Sequence, residues 1–276
     1  MLKQRVLTAL VLIPLVVWAI FGLPTPILAF LFAVLVLLGG WEWTRLIPVK
    51  TLGVRIAYLL FLILALYGAW LVLDQQEVLV AMLLVAAVWW IFALGWVANF
   101  RGERGANSTR RLYARAIAGY LTLVPSWTAL MGLHVQPGYG AWLLLYVLVL
   151  MWVADSGAYF AGRSLGRHKL APKVSPGKTW EGVAGGLVAT AIYASLFGYF
   201  FGYQGPVLSL FAAVSVVAVA FSVVGDLFES LLKRQQGVKD SGTLLPGHGG
   251  VLDRIDSVTA GAPLFLLGLH VIGWPA

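Results

Sequence analysis

The sequence contains no cysteine, which excludes disulfides, thiolate nucleophiles and thiol-bound zinc. Any zinc site would have to use only carboxylates and the four histidines. Charge is scarce as well: Asp, Glu, Lys and Arg together make up 11% of 276 residues. No polar stretch is long enough to fold separately, so the chain reads as a single membrane domain over 1–276. There is no low-complexity tract. There is also no internal repeat of matching segments, which weakens a reading as an inverted-repeat transporter.

What is present is apolar. Hydrophobic residues reach 61% and the mean hydropathy is +0.90. Apolar runs recur that are long enough to cross a hydrocarbon core of ~30 Å as helix. Twelve Trp and ten Tyr suit interfacial anchoring. The expected class is all-α, a polytopic integral membrane protein with nine transmembrane helices, near 6–23, 26–43, 54–73, 78–99, 116–133, 141–160, 183–203, 206–229 and 258–274. The first run follows Lys3 and Arg5 as a signal peptide would. It lacks a small-x-small cleavage site and more spans follow, so it is expected to be a retained helix. With nine spans, all 19 Lys and Arg fall on one side. The positive-inside rule then predicts a cytoplasmic N-terminus and a C-terminus outside.

Three loops on that side differ. "RGERGANSTRRLYAR" (101–115) reads as an orientation signal beside anionic headgroups. The second, "ADSGAYFAGRSLGRHKLAPKVSPGKTWEG" (154–182), follows Asp155, an ionisable residue near the end of a span and costly there unless it faces protein or water. Its "SPGKT" is not a Walker P-loop, because Pro172 stands where that motif needs glycine and a membrane helix precedes it. The loop still suits a phosphate: Gly177 lets backbone approach, Lys178 brings a charge, and Ser175 and Thr179 bring hydroxyls before a helix N-terminus. Gly182 and Gly186 read as a close helix-packing pair. The third stretch, 223–257, gathers Asp226, Glu229 and Lys233 on one helix face and Asp253 and Asp256 on another, around a glycine turn at 247–250. Oxygen-only donors of this kind favour Mg²⁺ or another hard cation over zinc. Plainer roles remain open: an i,i+4 ion pair for Glu229 and Lys233, a helix cap for Asp256, and a turn hydrogen bond for His248.

The run from Ser230 through Lys233-Arg234, Lys239-Asp240 and Pro246-Gly247-His248-Gly249-Gly250 to Asp253-Arg254-Ile255-Asp256 closely resembles the signature of phosphatidate cytidylyltransferases (CDP-diacylglycerol synthases). "SPGKTWEG" is similar to that family's upstream segment, with Gly177 where the family usually has Lys. The strong resemblance covers about 150–260, the expected catalytic half. It implies nine helices, a homodimer, and Mg²⁺-dependent transfer of CMP from CTP to phosphatidic acid, with a second, monovalent cation such as K⁺. It implies metal ligation by Asp226, Asp253 and Asp256. Catalytic roles fall to Lys233, Lys239, Asp240, His248 and Arg254, and substrate binding to Asp155, Ser175, Pro176, Lys178, Thr179 and Arg234. CTP, phosphatidic acid and membrane lipids are the expected partners; nucleic acid is not. The expected setting is a bacterial inner membrane, with the active site facing the cytoplasm. Two alternatives are a CTP-dependent polyprenol kinase and an ion-coupled transporter. The transporter predicts acids near the bilayer midplane, whereas Asp155, Asp226, Asp253 and Asp256 all sit near one face.

Overall fold

The computed structural model describes residues 2–47, 51–102, 109–244 and 249–274. Among them are nine helices: α1 (Leu2–Gly22), α2 (Thr25–Leu46), α3 (Leu52–Leu71), α4 (Gln76–Ala98), α5 (Thr109–His134), α6 (Gly140–Leu165), α7 (Trp180–Phe200), α8 (Gly205–Gln236) and α9 (Leu252–Val271). The chain is an all-α polytopic membrane protein, as expected. Seven of the nine are long and apolar enough to cross a membrane. The described apolar part of α1, Leu12–Gly22, is shorter. Helix α9 falls outside the seven because its first two turns carry Asp253, Arg254 and Asp256.

One departure lies in the segment read as an irregular loop between α6 and α7. It is a hairpin, β1 (Lys169–Ala171) against β2 (Ser175–Thr179), paired antiparallel with Lys169 opposite Thr179 and Ala171 opposite Ser175. "SPGKT" is therefore strand β2. Glu181 in the first turn of α7 ties the hairpin down, accepting from the Arg167 amide at 3.1 Å and from His168 Nδ1 at 2.6 Å.

Helix α8 runs for 32 residues, ~48 Å at 1.5 Å per residue, well beyond a hydrocarbon core of ~30 Å. Glu229, Lys233 and Arg234 lie in its last turns, so the charged end is the surplus over an apolar span. The helix stops at Gly237, whose φ of 71° is left-handed; Gly237 N–H and Val238 N–H close the last turn on Arg234 and Lys233 carbonyls. Helix α9 lies against α8, α5 and α4 and is enclosed in its apolar part, where Ala260–Leu267 are all buried.

Two packing devices hold the ends of this frame. Helix α6 meets α7 through small residues. A methyl built on Gly157, Gly182 or Gly186 would lie 2.9–3.0 Å from a backbone carbonyl of the facing helix. The expected close packing at Gly182 and Gly186 is present, and it is what membrane helices use where no hydrophobic force drives them together. At the site's other flank, Phe228 of α8 is surrounded by Trp43 of α2 and by Trp89, Trp90 and Trp96 of α4, with ring centroids 5.4–6.3 Å away. Helices α2 and α4 thus brace the helix that carries the charges.

Arg115, counted in the sequence among the loop charges, lies inside α5 and is buried. Its guanidinium donates to the Leu46 carbonyl at 3.4 Å and to Gln235 Oε1 at 3.0 Å. It joins the ends of α2 and α8.

Candidate active site

At the end of the bundle where α6, α8 and β2 approach one another and α9 begins, a cavity of about 360 Å³ opens. Asp155, Arg163, Lys178 and Asp226 give it charge; Ala154, Ala158, Gly162, Gly182, Val183, Gly186, Val219 and Val223 give it an apolar wall. Lys178 Nζ lies 2.6 Å from Asp226 Oδ2, and both side chains remain more than a quarter exposed. Ser230 Oγ donates to Asp226 Oδ1 at 3.3 Å. Asp226 is in electrostatic contact with both Asp155 and Asp256, and Asp155 also with Arg254. Asp155 of α6, Lys178 of β2 and Asp226 of α8 therefore share one cavity, and the charges of Arg254 and Asp256 at the start of α9 act on them from beside it.

A second cluster adjoins the first and is closed. Lys233 Nζ is 2.7 Å from Glu229 Oε2 and 2.6 Å from Asp253 Oδ1, with all three side chains under a tenth exposed. Asp253 Oδ2 also accepts the Gly250 amide at 2.8 Å and the Ser241 amide at 3.1 Å. The i,i+4 pair read from the sequence exists, but it is half of a triad. Breaking such a buried pair leaves an uncompensated charge.

The other residues singled out in the sequence divide as follows. Thr179 lines the cavity and also caps α7, its Oγ1 accepting the Gly182 amide at 3.1 Å. Ser175 pairs with Ala171 in the hairpin and Pro176 is exposed beside it. Gly177 also lines the cavity, and a Cβ there would meet open space. Arg234 is not with Lys178. It donates to the Val174 carbonyl at 3.2 Å and lines a separate, smaller cavity with Lys173. Lys239 and Asp240 are exposed in the segment after α8. Helix α9 begins at Leu252, so Asp256 lies in its second turn and is not its cap; its Oδ1 accepts the Ser257 amide at 2.7 Å. His248 and the rest of 245–248 lie outside the described residues.

For a metal, the donor type fits: the cavity offers carboxylate oxygens and no sulfur. Among the described residues, however, no group of three His, Asp or Glu side chains is arranged to hold an ion. Ammonium groups already stand against Asp226 and Asp253. Sequence reasoning missed Glu42 of α2. It is buried and receives Ser241 Oγ and the amides of Val251 and Leu252. The available signal was its place between Trp41 and Trp43, as an acid at the end of an apolar span.

Comparison with known proteins gives a consistent result. The pattern of the cytidylyltransferase family matches residues 3–272. A phosphatidate cytidylyltransferase of Pseudomonas aeruginosa is 43% identical over 279 residues, covering 100% of both chains. One from Haemophilus influenzae is 44% identical, covering 96% of this chain and 97% of its own length. One from Bacillus subtilis is 47% identical over 133 residues, covering 48% of this chain and 49% of its own length.

Proposed function

The chain belongs to the cytidylyltransferase family, and from that premise we propose that it transfers CMP from CTP to phosphatidic acid, giving CDP-diacylglycerol and pyrophosphate for phospholipid synthesis. The observation that carries this reading is the two-sided cavity. Asp155, Lys178 and Asp226 share it with a wall of glycine, alanine and valine. A lipid phosphate needs both halves, a charged end for the headgroup and an apolar approach for what is attached to it.

A phosphate oxygen of the lipid attacks the α-phosphorus of CTP. The bond from that phosphorus to the bridging oxygen breaks, and pyrophosphate leaves with the electron pair. The nucleophile is already an anion, so no strong general base is needed. The obstacle is bringing anions together, and positioning with electrostatic stabilisation dominates. Lys178 and Arg163 line the cavity and Arg254 acts on Asp155 from beside it; these cations would meet phosphate. Lys233, enclosed between two carboxylates, acts through Asp253. Mg²⁺ belongs to the proposal: Asp226 and Asp256 would hold it, with Asp155 beside them, and Asp253 would join only on releasing Lys233. Bound there, the ion neutralises phosphate charge. A second, monovalent cation such as K⁺ and a homodimer are parts of the same reading.

The active site faces the cytoplasm of a bacterial inner membrane in this reading, which rests on the one-sided placement of the basic residues. A tag at Ala276 is expected outside and one at Asn107 inside; both on one side overturns the topology. The activity is tested on purified protein in lipid discs given CTP with phosphatidic acid or with a polyprenol. CDP-lipid and pyrophosphate support the proposal. Phosphorylated polyprenol and CDP would move the assignment to a kinase, and no product with either lipid would sink both.

A further inference from the structure

Glu42 sits in α2, about two hundred positions before the segment it touches. Its carboxylate is buried, and its described partners are all neutral. Oε1 accepts the Val251 amide at 3.1 Å; Oε2 accepts the Leu252 amide at 2.9 Å and Ser241 Oγ at 3.0 Å. These amides open α9, where a negative charge is favoured by the helix dipole. Gly242 and Gly250 close over the same carboxylate, and a methyl on either would run into it.

The segment that wraps Glu42 also holds Asp253. Ser241 gives its hydroxyl to Glu42 and its amide to Asp253. Gly250 gives its amide to Asp253, and the next two residues give theirs to Glu42. Two carboxylates, one from α2 and one from α9, thus share a single cradle. The start of α9 sets the direction of Asp253 and, one turn on, of Asp256.

We propose that Glu42 is a positioning residue for the reaction: by holding Ser241 and the first amides of α9, it fixes where Asp253 and Asp256 stand relative to the cavity lined by Lys178 and Asp226. This rests on the cytidylyltransfer reading above. A residue that merely stabilised the bundle would change the amount of folded protein, not the turnover of each folded molecule.

The test uses the full chain in lipid discs, unaltered and as Glu42→Gln, Glu42→Asp and Ser241→Ala. Amide hydrogen exchange is followed for Ser241–Leu252 and, for comparison, for the buried part of α5. Turnover and KM for CTP and phosphatidic acid are measured per folded molecule. In Glu42→Gln an amide nitrogen replaces one acceptor oxygen, so exchange in 241–252 should rise and kcat should fall about tenfold to a hundredfold, the usual effect of losing a hydrogen bond to a charged group. Exchange in α5 and both KM values should change little, and Glu42→Asp, which keeps the charge, should recover part of the turnover. Unchanged exchange in 241–252, or unchanged kcat per folded molecule, overturns the proposal. If Glu42→Gln does not fold, Ser241→Ala decides: it removes one bond to Glu42 and should produce the same local exchange and a smaller loss of kcat, and no change in either overturns the idea. Absence of CDP-lipid from the unaltered chain would sink the assigned reaction, while the exchange comparison would still read whether Glu42 holds the segment.

Discussion

The two charged clusters of this protein share a helix and differ in nearly everything else. Around the cavity, Lys178 and Asp226 meet at 2.6 Å with both side chains partly exposed. Two turns further along α8, Lys233 meets Glu229 and Asp253 at similar distances, yet those three side chains are closed from solvent, and the other oxygen of Asp253 is taken by backbone amides. Equal distances therefore do not mean equal roles. Charges with spare hydrogen-bonding capacity in a cavity are free to exchange their partner for a phosphate or a cation. Charges shut away from solvent against one another hold the frame, and removing one of them leaves the others uncompensated.

The sharpest way to break that distinction is Lys233→Ala. It leaves Glu229 and Asp253 buried together, and the expected destabilisation is about 3–5 kcal/mol. Thermal unfolding in detergent reads it, and a melting temperature within error of the unaltered protein would place Lys233 with the working charges. Next comes Asp226→Asn, expected to fold normally but to lose about a hundredfold in CDP-lipid formation, the scale of a removed electrostatic contact at a reacting centre. Part of that should return at raised Mg²⁺ concentration. A normal rate at low Mg²⁺ would remove Asp226 from any metal site. Lys178→Ala should cost about 1.5–3 kcal/mol in kcat/KM, the value of a charge-assisted hydrogen bond, with stability little changed. Steady-state kinetics with both substrates checks it, and unaltered constants would leave Lys178 only a role in topology. The smallest effect is expected from Gly177→Lys, since a Cβ there meets open space. Stability should stay within ~0.5 kcal/mol, as for a surface substitution, and a collapse in expression would show that the hairpin needs glycine at that position.

The sequence made the cavity cluster and half of the closed one readable for a definite reason. Asp226, Glu229 and Lys233 lie three and four apart on one helix, and Asp253 and Asp256 three apart on another, so local periodicity places each set on one face. Asp155 and Lys178 were readable as an acid at a span end and a lysine in a glycine-containing segment, but their meeting with Asp226 is made by the fold. The nine helices were legible from apolar runs, although their ends were not. Helix α8 continues to Gln236 because a helix does not stop at the edge of the bilayer. Glu42 and Arg115 stayed hidden because their partners are backbone groups or residues far along the chain, and such pairings leave no spacing to read. The glycine and proline of "SPGKT" suggest a loop, but the segment pairs with Lys169–Ala171 in a hairpin. A hydroxyl before a helix fits both a phosphate and a cap, and the 3.1 Å bond from Gly182 adds the cap to the place of Thr179 in the cavity lining.

The seam of small residues between α6 and α7 has one more effect. Its contact is made by backbone and methyl groups, which have no side-chain rotamers to populate or freeze. The distance across it is set by hard-atom contact and does not soften with warming in the way a leucine-packed interface can. Asp155 rides on one side of that seam, and Lys178 leads directly into the helix on the other. The spacing between the two elements that carry them is therefore gauged by atomic radii at the glycines and alanines of the seam.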